Sequence, residues 1–284
     1  MHPIPLVRES EATDERVREA FRDIKGALRV PVVNVLFQAW AAFPKFLEVV
    51  WRRVRPSVLT AQFAELASYI DTKVREGTDD WAVGDHTAQL RARAVSESEI
   101  VRMREIVELF TQVNPKLMIL ASAVDVALTG AAVGGTGTKG PHRAQERERP
   151  KEFRLVRFGL VEERDAPPRV RSIYEDMKNT LGLPFIETEY RVMATYPDWL
   201  EVWWKDCKTR AQDARYHSLE DEIAKAGAEL AKALPHRLYL SSDLLESCDI
   251  DDAKRAELRR ISAAFVALLP GLIINVEVAR RGLG

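Results

Sequence analysis

Apolar residues along most of the chain recur at steps of three and four, the spacing of one face of an α-helix. The clearest case lies between positions 109 and 128, where the apolar residues are Leu109, Phe110, Val113, Leu117, Leu120, Ala121, Val124 and Leu128. Alternating apolar and polar residues, the pattern of a half-buried strand, are scarce. The sequence therefore predicts an all-α protein.

Several helix starts carry local signals. The segment SESE at 96–99 resembles a capping box ahead of Ile100, and Pro31 and Pro184 each open an apolar periodic stretch. Two further prolines, Pro115 and Pro270, each stand between helical patterns. We expect a helix–proline–helix element around each of them.

The chain contains an internal repeat. Residues 23–51 align without a gap with residues 176–204, at an offset of 153, and residues 106–120 align with 261–275 at an offset of 155. The first alignment pairs identical residues at ten positions, among them the pairs Asp23/Asp176, Pro44/Pro197 and Trp51/Trp204. Self-similarity at a fixed offset indicates a duplicated structural unit. We predict a pseudo-two-fold pair of helical bundles within one chain.

The stretch between the two related halves, residues 129–152, is rich in glycine and charge and poor in apolar residues. This composition is typical of a connecting loop. We therefore predict a first helical repeat at 1–128, a linker at 129–152 and a second helical repeat at 153–284.

Charge and cysteine content limit the partners that the protein would take. Lysine and arginine number 42 against 43 acidic residues, which leaves no net field to attract nucleic acid or an anionic membrane. The two cysteines stand outside any paired motif, as in proteins of reducing compartments, and the charged first twenty residues do not resemble an export signal. We expect a cytoplasmic protein without a transmembrane segment, whose partner is a small molecule or another protein. The oligomeric state, a homodimer included, stays open.

The repeat also shows where the two halves differ in chemistry. Glu189 aligns with Leu36, so a position that the scaffold treats as apolar carries a carboxylate in the second half. Desolvation should raise the pKa of such a carboxyl and suit it to accept a proton from water near neutral pH. Asn114 likewise aligns with Leu269. The alternatives are that Asn114 caps a helix opened by Pro115, and that Glu189 occupies a solvated helix position.

Other catalytic motifs are missing from the sequence. The glycine-rich GGTGTKG at 134–140 lacks the order of a phosphate loop, the five histidines show no metal-ligand spacing, and no G-x-S-x-G motif is present. These observations predict no metal site and no serine nucleophile. The tryptophans mostly lie on apolar helical stripes, which favours core packing for Trp40, Trp51, Trp203 and Trp204.

The duplicated unit, the segments RVPVVNVLFQAWAAFP, WRR and LFTQVNPKLMIL, and AVGG at the linker resemble the DL-2-haloacid dehalogenases of the halocarboxylic acid dehydrogenase/dehalogenase family. The likeness covers most of the chain. It implies an all-α pseudo-dimer with the active site between the halves. It also implies, without any cofactor, a water that attacks Cα of a 2-haloalkanoate directly and inverts its configuration.

The resemblance assigns roles to residues on both repeats. Asn114 matches the asparagine that holds the attacking water, and Glu189 stands where the family has the aspartate that activates it. Glutamate is about one methylene longer, and a misplacement of about 1 Å can reduce a rate about a hundredfold. Aromatic residues of the family pocket are replaced by Val32, Val35 and Leu117. The substrate could therefore differ from that of the family.

Our first hypothesis is a hydrolase for a small 2-haloalkanoic acid, with Glu189 as general base and Asn114 as the group that orients water. Backbone amides near Thr188, at the start of a helix after Pro184, would hold the substrate carboxylate, and Tyr190 would line the pocket. Two alternatives are a non-catalytic small-acid binding protein and a hydrolase or lyase for another 2-substituted acid. Two further acids are expected at the surface: Glu65, which matches a family acid, and Glu187, whose counterpart Asn34 is polar.

Overall fold

The computed structural model describes residues 4–135 and 158–284 of the chain. Within these ranges the regular structure is helical, apart from one antiparallel bridge between Val133 and Leu238. The α-helices, in chain order, are α1 (Glu15–Leu28), α2 (Val35–Trp40), α3 (Pro44–Val58), α4 (Ala61–Gly77), α5 (His86–Ala92), α6 (Glu97–Ala127), α7 (Pro168–Leu181), α8 (Thr188–Met193), α9 (Pro197–Arg210), α10 (Ala214–Lys232), α11 (Ser242–Ser247) and α12 (Asp252–Leu283). The prediction of an all-α fold is confirmed.

The helices of the first half recur in the second half in the same order. Helices α1 to α6 correspond to α7 to α12, and the members of each pair differ in length by at most two residues. The first four pairs begin 153 residues apart, which is the offset found in the sequence. The described parts of the chain thus form two series of six helices, while the domain limits that the sequence suggested stay predictions.

Identical residues of the repeat make equivalent contacts in both halves. Asp23 on α1 accepts a hydrogen bond from the indole nitrogen of Trp51 on α3 at 2.7 Å. Asp176 on α7 accepts one from Trp204 on α9, also at 2.7 Å. Each aspartate also accepts from a basic side chain that follows the tryptophan by one helical turn: Arg55 on α3 donates at 2.6 Å, and Lys208 on α9 donates at 2.7 Å. These pairs fix the angle between the first and third helices of each half.

The capping box ahead of α6 is present as predicted. The Ser96 hydroxyl accepts from the backbone N–H of Glu99 at 3.3 Å, and the Glu99 carboxylate accepts from the backbone N–H of Ser96 at 2.9 Å. Two N–H groups that the first turn leaves unpaired are thereby satisfied.

Pro31 and Pro184 do not themselves begin helices, whereas the predicted helix start near Thr188 is confirmed. The helices begin four residues later, at Val35 and Thr188, and each proline lies in the preceding loop. Because proline has no backbone N–H, it fits the first turn of a helix, but it fits the loop before a helix equally well. A proline alone therefore does not show at which residue the helix begins.

The predicted breaks at Pro115 and Pro270 are also wrong. Each proline lies inside one continuous helix, α6 of 31 residues or α12 of 32 residues. A proline in a helix interior costs about 3 kcal/mol through one lost hydrogen bond and a steric clash. Both prolines are buried, and α6 packs along α12 with α4, α8 and α10 also against it. Packing on several sides offsets the local cost.

Helices α6 and α12 form the centre of the core. Helix α12 is long and apolar enough to cross a bilayer by length and composition, but 72% of its most apolar window is buried inside the protein. The indole rings of Trp40 and Trp203 are fully buried, and those of Trp51 and Trp204 nearly so, which confirms their placement in the core.

Only the first residues of the predicted linker are described. Val133 exchanges two backbone hydrogen bonds of 2.8 Å with Leu238, so residues just after the first half contact the second half. The rest of the predicted linker, 136–152, lies outside the described residues, as do positions 153–157 at the start of the predicted second repeat.

Candidate active site between the two helix series

Asn114 and Glu189 meet in the interior, although 75 residues separate them. The amide nitrogen Nδ2 of Asn114, on α6 of the first half, donates a hydrogen bond of 2.9 Å to Oε1 of Glu189, on α8 of the second half. Their side chains are almost completely buried, with exposed fractions of 1% and 2%. Asn114 lies within the continuous helix α6, so the alternative that it caps a helix at Pro115 is wrong. Burial equally excludes the solvated position considered for Glu189.

The location of α8 explains why a carboxylate is buried there. All six residues of this short helix are buried, and so are all six of its counterpart α2. The loop before α8 is anchored by Glu163, whose Oε1 accepts from the backbone N–H of Ile186 at 2.8 Å. After this anchor the chain passes through the interior, so even a polar residue at position 189 lies away from water.

Burial controls the acidity of Glu189. It raises the pKa of this carboxyl to about 7, while the backbone N–H of Glu189, the hydrogen bond from Asn114 and the charge of Arg191 each lower it. A carboxyl with a pKa near neutrality is ionised in a useful fraction of molecules and still basic enough to take a proton from water. The hydrogen bond from Asn114 also fixes which way the carboxylate points.

Glu187 is buried, and the prediction that it would be exposed is wrong. Only 3% of its surface is accessible, and it is the residue that precedes the first turn of α8. Its counterpart Asn34 precedes α2 and is buried to the same extent, so a polar residue in both halves did not indicate the surface here. Burial, and next the charge of Glu189, raise the pKa of Glu187 well above its ordinary value, whereas the charge of Arg191 lowers it.

Sequence reasoning missed Arg191, the positive charge beside these two acids. Its side chain is 6% exposed and forms an ion pair with Glu162, with Nη1 donating to both carboxylate oxygens at 2.9 and 3.0 Å. Glu162 in turn lies 3.5 Å from Nε of Arg8, a residue of the first half. The signal that could have found Arg191 is its counterpart Gln38, the single polar residue of the first-half segment VLFQAW.

Tyr190 follows Glu189 in the chain but faces another set of partners. It is fully buried, and its hydroxyl accepts a hydrogen bond from Nδ2 of Asn275 at 2.8 Å. Oδ1 of Asn275 accepts from the hydroxyl of Tyr216 at 3.1 Å. All three residues line a cavity of about 100 Å³ in the second half. A ligand in this cavity would contact the ring of Tyr190.

Comparison with known proteins supplies the family. The family model for halocarboxylic acid dehydrogenase DehI matches residues 31–190 of this chain. The chain belongs to this family. An (R)-2-haloacid dehalogenase of Pseudomonas putida is 30% identical over 283 residues, which cover 97% of this chain and 90% of that protein. A configuration-inverting 2-haloacid dehalogenase of Pseudomonas sp. strain 113 is 28% identical over 67% of this chain and 62% of that protein.

A solved structure supports the same assignment. The structure of a D-2-haloacid dehalogenase in complex with L-LA superposes with a TM-score of 0.91 at 29% identity, and covers 99% of this chain and 96% of that chain. The family resemblance suggested by the sequence is confirmed. The family match includes both Asn114 and Glu189 and ends directly after the latter, at residue 190.

The other residues that the sequence suggested for the pocket occupy different places relative to this pair. Leu117 follows Asn114 by three residues on α6, so the two side chains lie on the same side of the helix. Thr188 is the first residue of α8, and its hydroxyl lies 3.4 Å from Nη2 of Arg191. Val35 begins α2, a helix that packs on α12. It is the first-half counterpart of Thr188.

The positions equivalent to the Asn114–Glu189 pair are apolar. Leu36 and Leu269 are buried, with exposed fractions of 1% and 2%. Glu65 is exposed, as expected. In the described ranges 4–135 and 158–284, no three histidine, cysteine, aspartate or glutamate side chains cluster in a way that could hold a metal ion.

Proposed function

We propose that this protein is a hydrolytic dehalogenase of small (R)-2-haloalkanoic acids. The observation that carries the proposal is the buried hydrogen bond between Asn114 and Glu189, across the two halves, in a family whose compared members are named 2-haloacid dehalogenases. Support for the (R) enantiomer comes from the Pseudomonas putida relative that matches almost the whole chain.

The chemistry follows from the two side chains. Glu189 accepts a proton from a water molecule that Asn114 holds in place through its amide. The water oxygen attacks Cα of the substrate on the side opposite the halogen, the carbon–halogen bond breaks, and halide leaves. The product is the 2-hydroxy acid with inverted configuration. No bond forms between enzyme and substrate, because the carboxylate acts on water rather than on carbon.

Binding of the substrate carboxylate falls to the first turn of α8. The backbone N–H groups of a first helical turn lack partners within the helix, and Thr188 stands at this position with its hydroxyl facing the Arg191 guanidinium at 3.4 Å. The positive charge of Arg191 favours an anion here, although its ion pair with Glu162 neutralises part of that charge. Leu117, on the same side of α6 as Asn114, would contact the apolar part of the substrate.

The first experiment is halide release from each enantiomer of 2-chloropropionate, with wild-type protein beside Glu189→Gln. We expect release from the (R) enantiomer, lactate of the opposite configuration, and no release by the variant. If wild-type protein is stabilised against heating by the acid but releases no halide, the protein binds small acids without hydrolysing them. Release that persists in Glu189→Gln would exclude this residue as the base.

A single turnover in H₂¹⁸O distinguishes direct attack by water from attack by the carboxylate. Direct attack places the label in the product of the first turnover. Attack by the Glu189 carboxylate would place an unlabelled oxygen of the enzyme in that first product and leave the label in the protein.

A further inference from the structure

A second buried carboxyl, that of Glu187, lies close to Glu189 in the chain, and the proposed dehalogenation mechanism does not use it. Glu187 is 3% exposed and precedes α8, two residues before Glu189. Among the residues that the structure describes, its Oε1 finds no hydrogen-bond partner. A buried oxygen without a partner is costly, so groups of this kind in folded proteins call for an explanation.

The charges around Glu187 favour a neutral form of one of the two acids. Glu187 and Glu189 are both buried, and the cation that acts on both is Arg191. Arg191 already forms a bidentate contact with Glu162, so its charge cannot balance two further carboxylates. Glu189 has the hydrogen bond from Asn114 that favours the ionised form, whereas Glu187 has none from the described residues. Glu187 is therefore the member that keeps its proton.

Dehalogenation has no use for a proton at this place. Halide ions are very weak bases and leave carbon without protonation. A leaving oxygen atom is different, because an alkoxide is a strong base and departs readily only when an acid donates a proton to it. A neutral carboxylic acid beside an ionised one is the arrangement that supplies both a base for water and an acid for the leaving group.

We propose that Glu187 is a general acid, and that the same site hydrolyses 2,3-epoxy acids, the oxirane-2-carboxylates, to 2,3-dihydroxy acids. The inference rests on the proposed function, since it takes Glu189 as the base that activates water. Oxirane-2-carboxylate has the same carbon skeleton as 2-chloropropionate, and its Cα carries the leaving oxygen where the haloacid carries halogen. A pocket that accepts one can accept the other.

The step is balanced within the site. Glu189 takes a proton from water, the water oxygen bonds to Cα, the bond from Cα to the ring oxygen breaks, and Glu187 donates its proton to that oxygen. Glu189 is then protonated and Glu187 ionised. Transfer of the proton from the first carboxyl to the second restores the resting site, with no oxidant, reductant or metal required.

The test compares two products from the same purified proteins: chloride from (R)-2-chloropropionate, and 2,3-dihydroxypropionate from each enantiomer of oxirane-2-carboxylate. We expect wild-type protein to form both. Glu187→Gln should lower diol formation at least about a hundredfold, the usual contribution of a general acid, and should lower chloride release by a much smaller factor. Glu189→Gln should lose both activities. Glu175→Gln, an exposed glutamate on α7, is the matched control and should change neither.

Each result decides the inference. Chloride release without diol from wild-type protein would overturn it and leave the proposed function standing. Loss of both products from wild-type protein would overturn both. Equal diol formation by wild type and a folded Glu187→Gln would refute the role of this acid. If that variant does not fold, Glu187→Asp serves instead, because a shortened acid should slow diol formation more than chloride release.

Discussion

Replacement of Glu189 by glutamine should abolish halide release and at the same time stabilise the folded protein above neutral pH. The amide of glutamine can keep the hydrogen-bonded contact with Asn114 but cannot accept a proton from water. It also carries no charge, so it removes the cost of burying an ionised carboxylate. Activity and stability should therefore change in opposite directions, as expected when a residue is strained by its catalytic role.

The size and pH range of the stability change follow from the pKa. Burial raises the pKa of Glu189 from 4.5 to about 7. Between these values the folded protein holds a proton that the unfolded chain has released, so the free energy of unfolding falls as the pH rises. Below pH 4.5 both states are protonated and this effect vanishes; above pH 7 it is complete. At about 1.4 kcal/mol per pKa unit, the full cost is about 3 kcal/mol.

Urea denaturation of wild type and Glu189→Gln, at pH values from 4.5 to 8.5, measures this effect directly. The difference in unfolding free energy between the two proteins should increase from the acidic end and level off above pH 7. Over the same range, wild-type halide release should rise with pH and reach a plateau, with about a tenth of the plateau rate at pH 6. A stability difference that does not depend on pH would refute the assignment of the raised pKa to this carboxyl.

Three other substitutions test separate parts of the structure. Asn114→Ala removes the hydrogen bond that lowers the pKa of Glu189, so the pH at which halide release rises should be higher and the rate at pH 7 should fall at least about tenfold. An unchanged pH profile would contradict this role of Asn114. Trp40→Phe removes the 3.2 Å hydrogen bond to Ser262 between the two halves and should lower the free energy of unfolding, measured by urea denaturation, by about 1 kcal/mol. A denaturation midpoint equal to that of wild type would show that the bond does not contribute to stability. Gly282→Ala places a methyl group against the imidazole of His86 and should lower the free energy of unfolding, measured by thermal melting, by about 1–3 kcal/mol. An unchanged melting temperature would mean that the ring can move aside.

The sequence allowed the buried Asn114–Glu189 pair to be chosen but not its surroundings. Glu189 and Asn114 could be chosen because each replaces a leucine of the other half, and such a replacement is visible in an alignment. Glu187 gave no such signal, since its counterpart Asn34 is also polar. Asn34 and Glu187 are buried because α2 and α8 pass through the interior. The path of these helices depends on contacts between residues that are distant in the chain.

Helix limits were hard to predict for a related reason. The local chemistry of the capping box at Ser96 acts within four residues and was read correctly. The effect of Pro115 depends instead on what surrounds α6, because packing against several helices offsets the loss of one hydrogen bond. Tertiary packing thus overrides local propensity in the most buried helices of the chain.

The asymmetry between the two halves follows from the energetics of the buried acid. A glutamate at Leu36, equivalent to Glu189, would bear a similar cost of about 3 kcal/mol, and it would lack an asparagine partner because Leu269 occupies that place. Domains are stable by only about 5–15 kcal/mol, so two such sites would take a large part of the total. Because Leu36 and Leu269 are apolar, the cost of a buried carboxylate arises only at the Asn114–Glu189 positions. The remaining site joins a carboxylate of the second half to an amide of the first, and so it exists only where the two halves pack and exclude water.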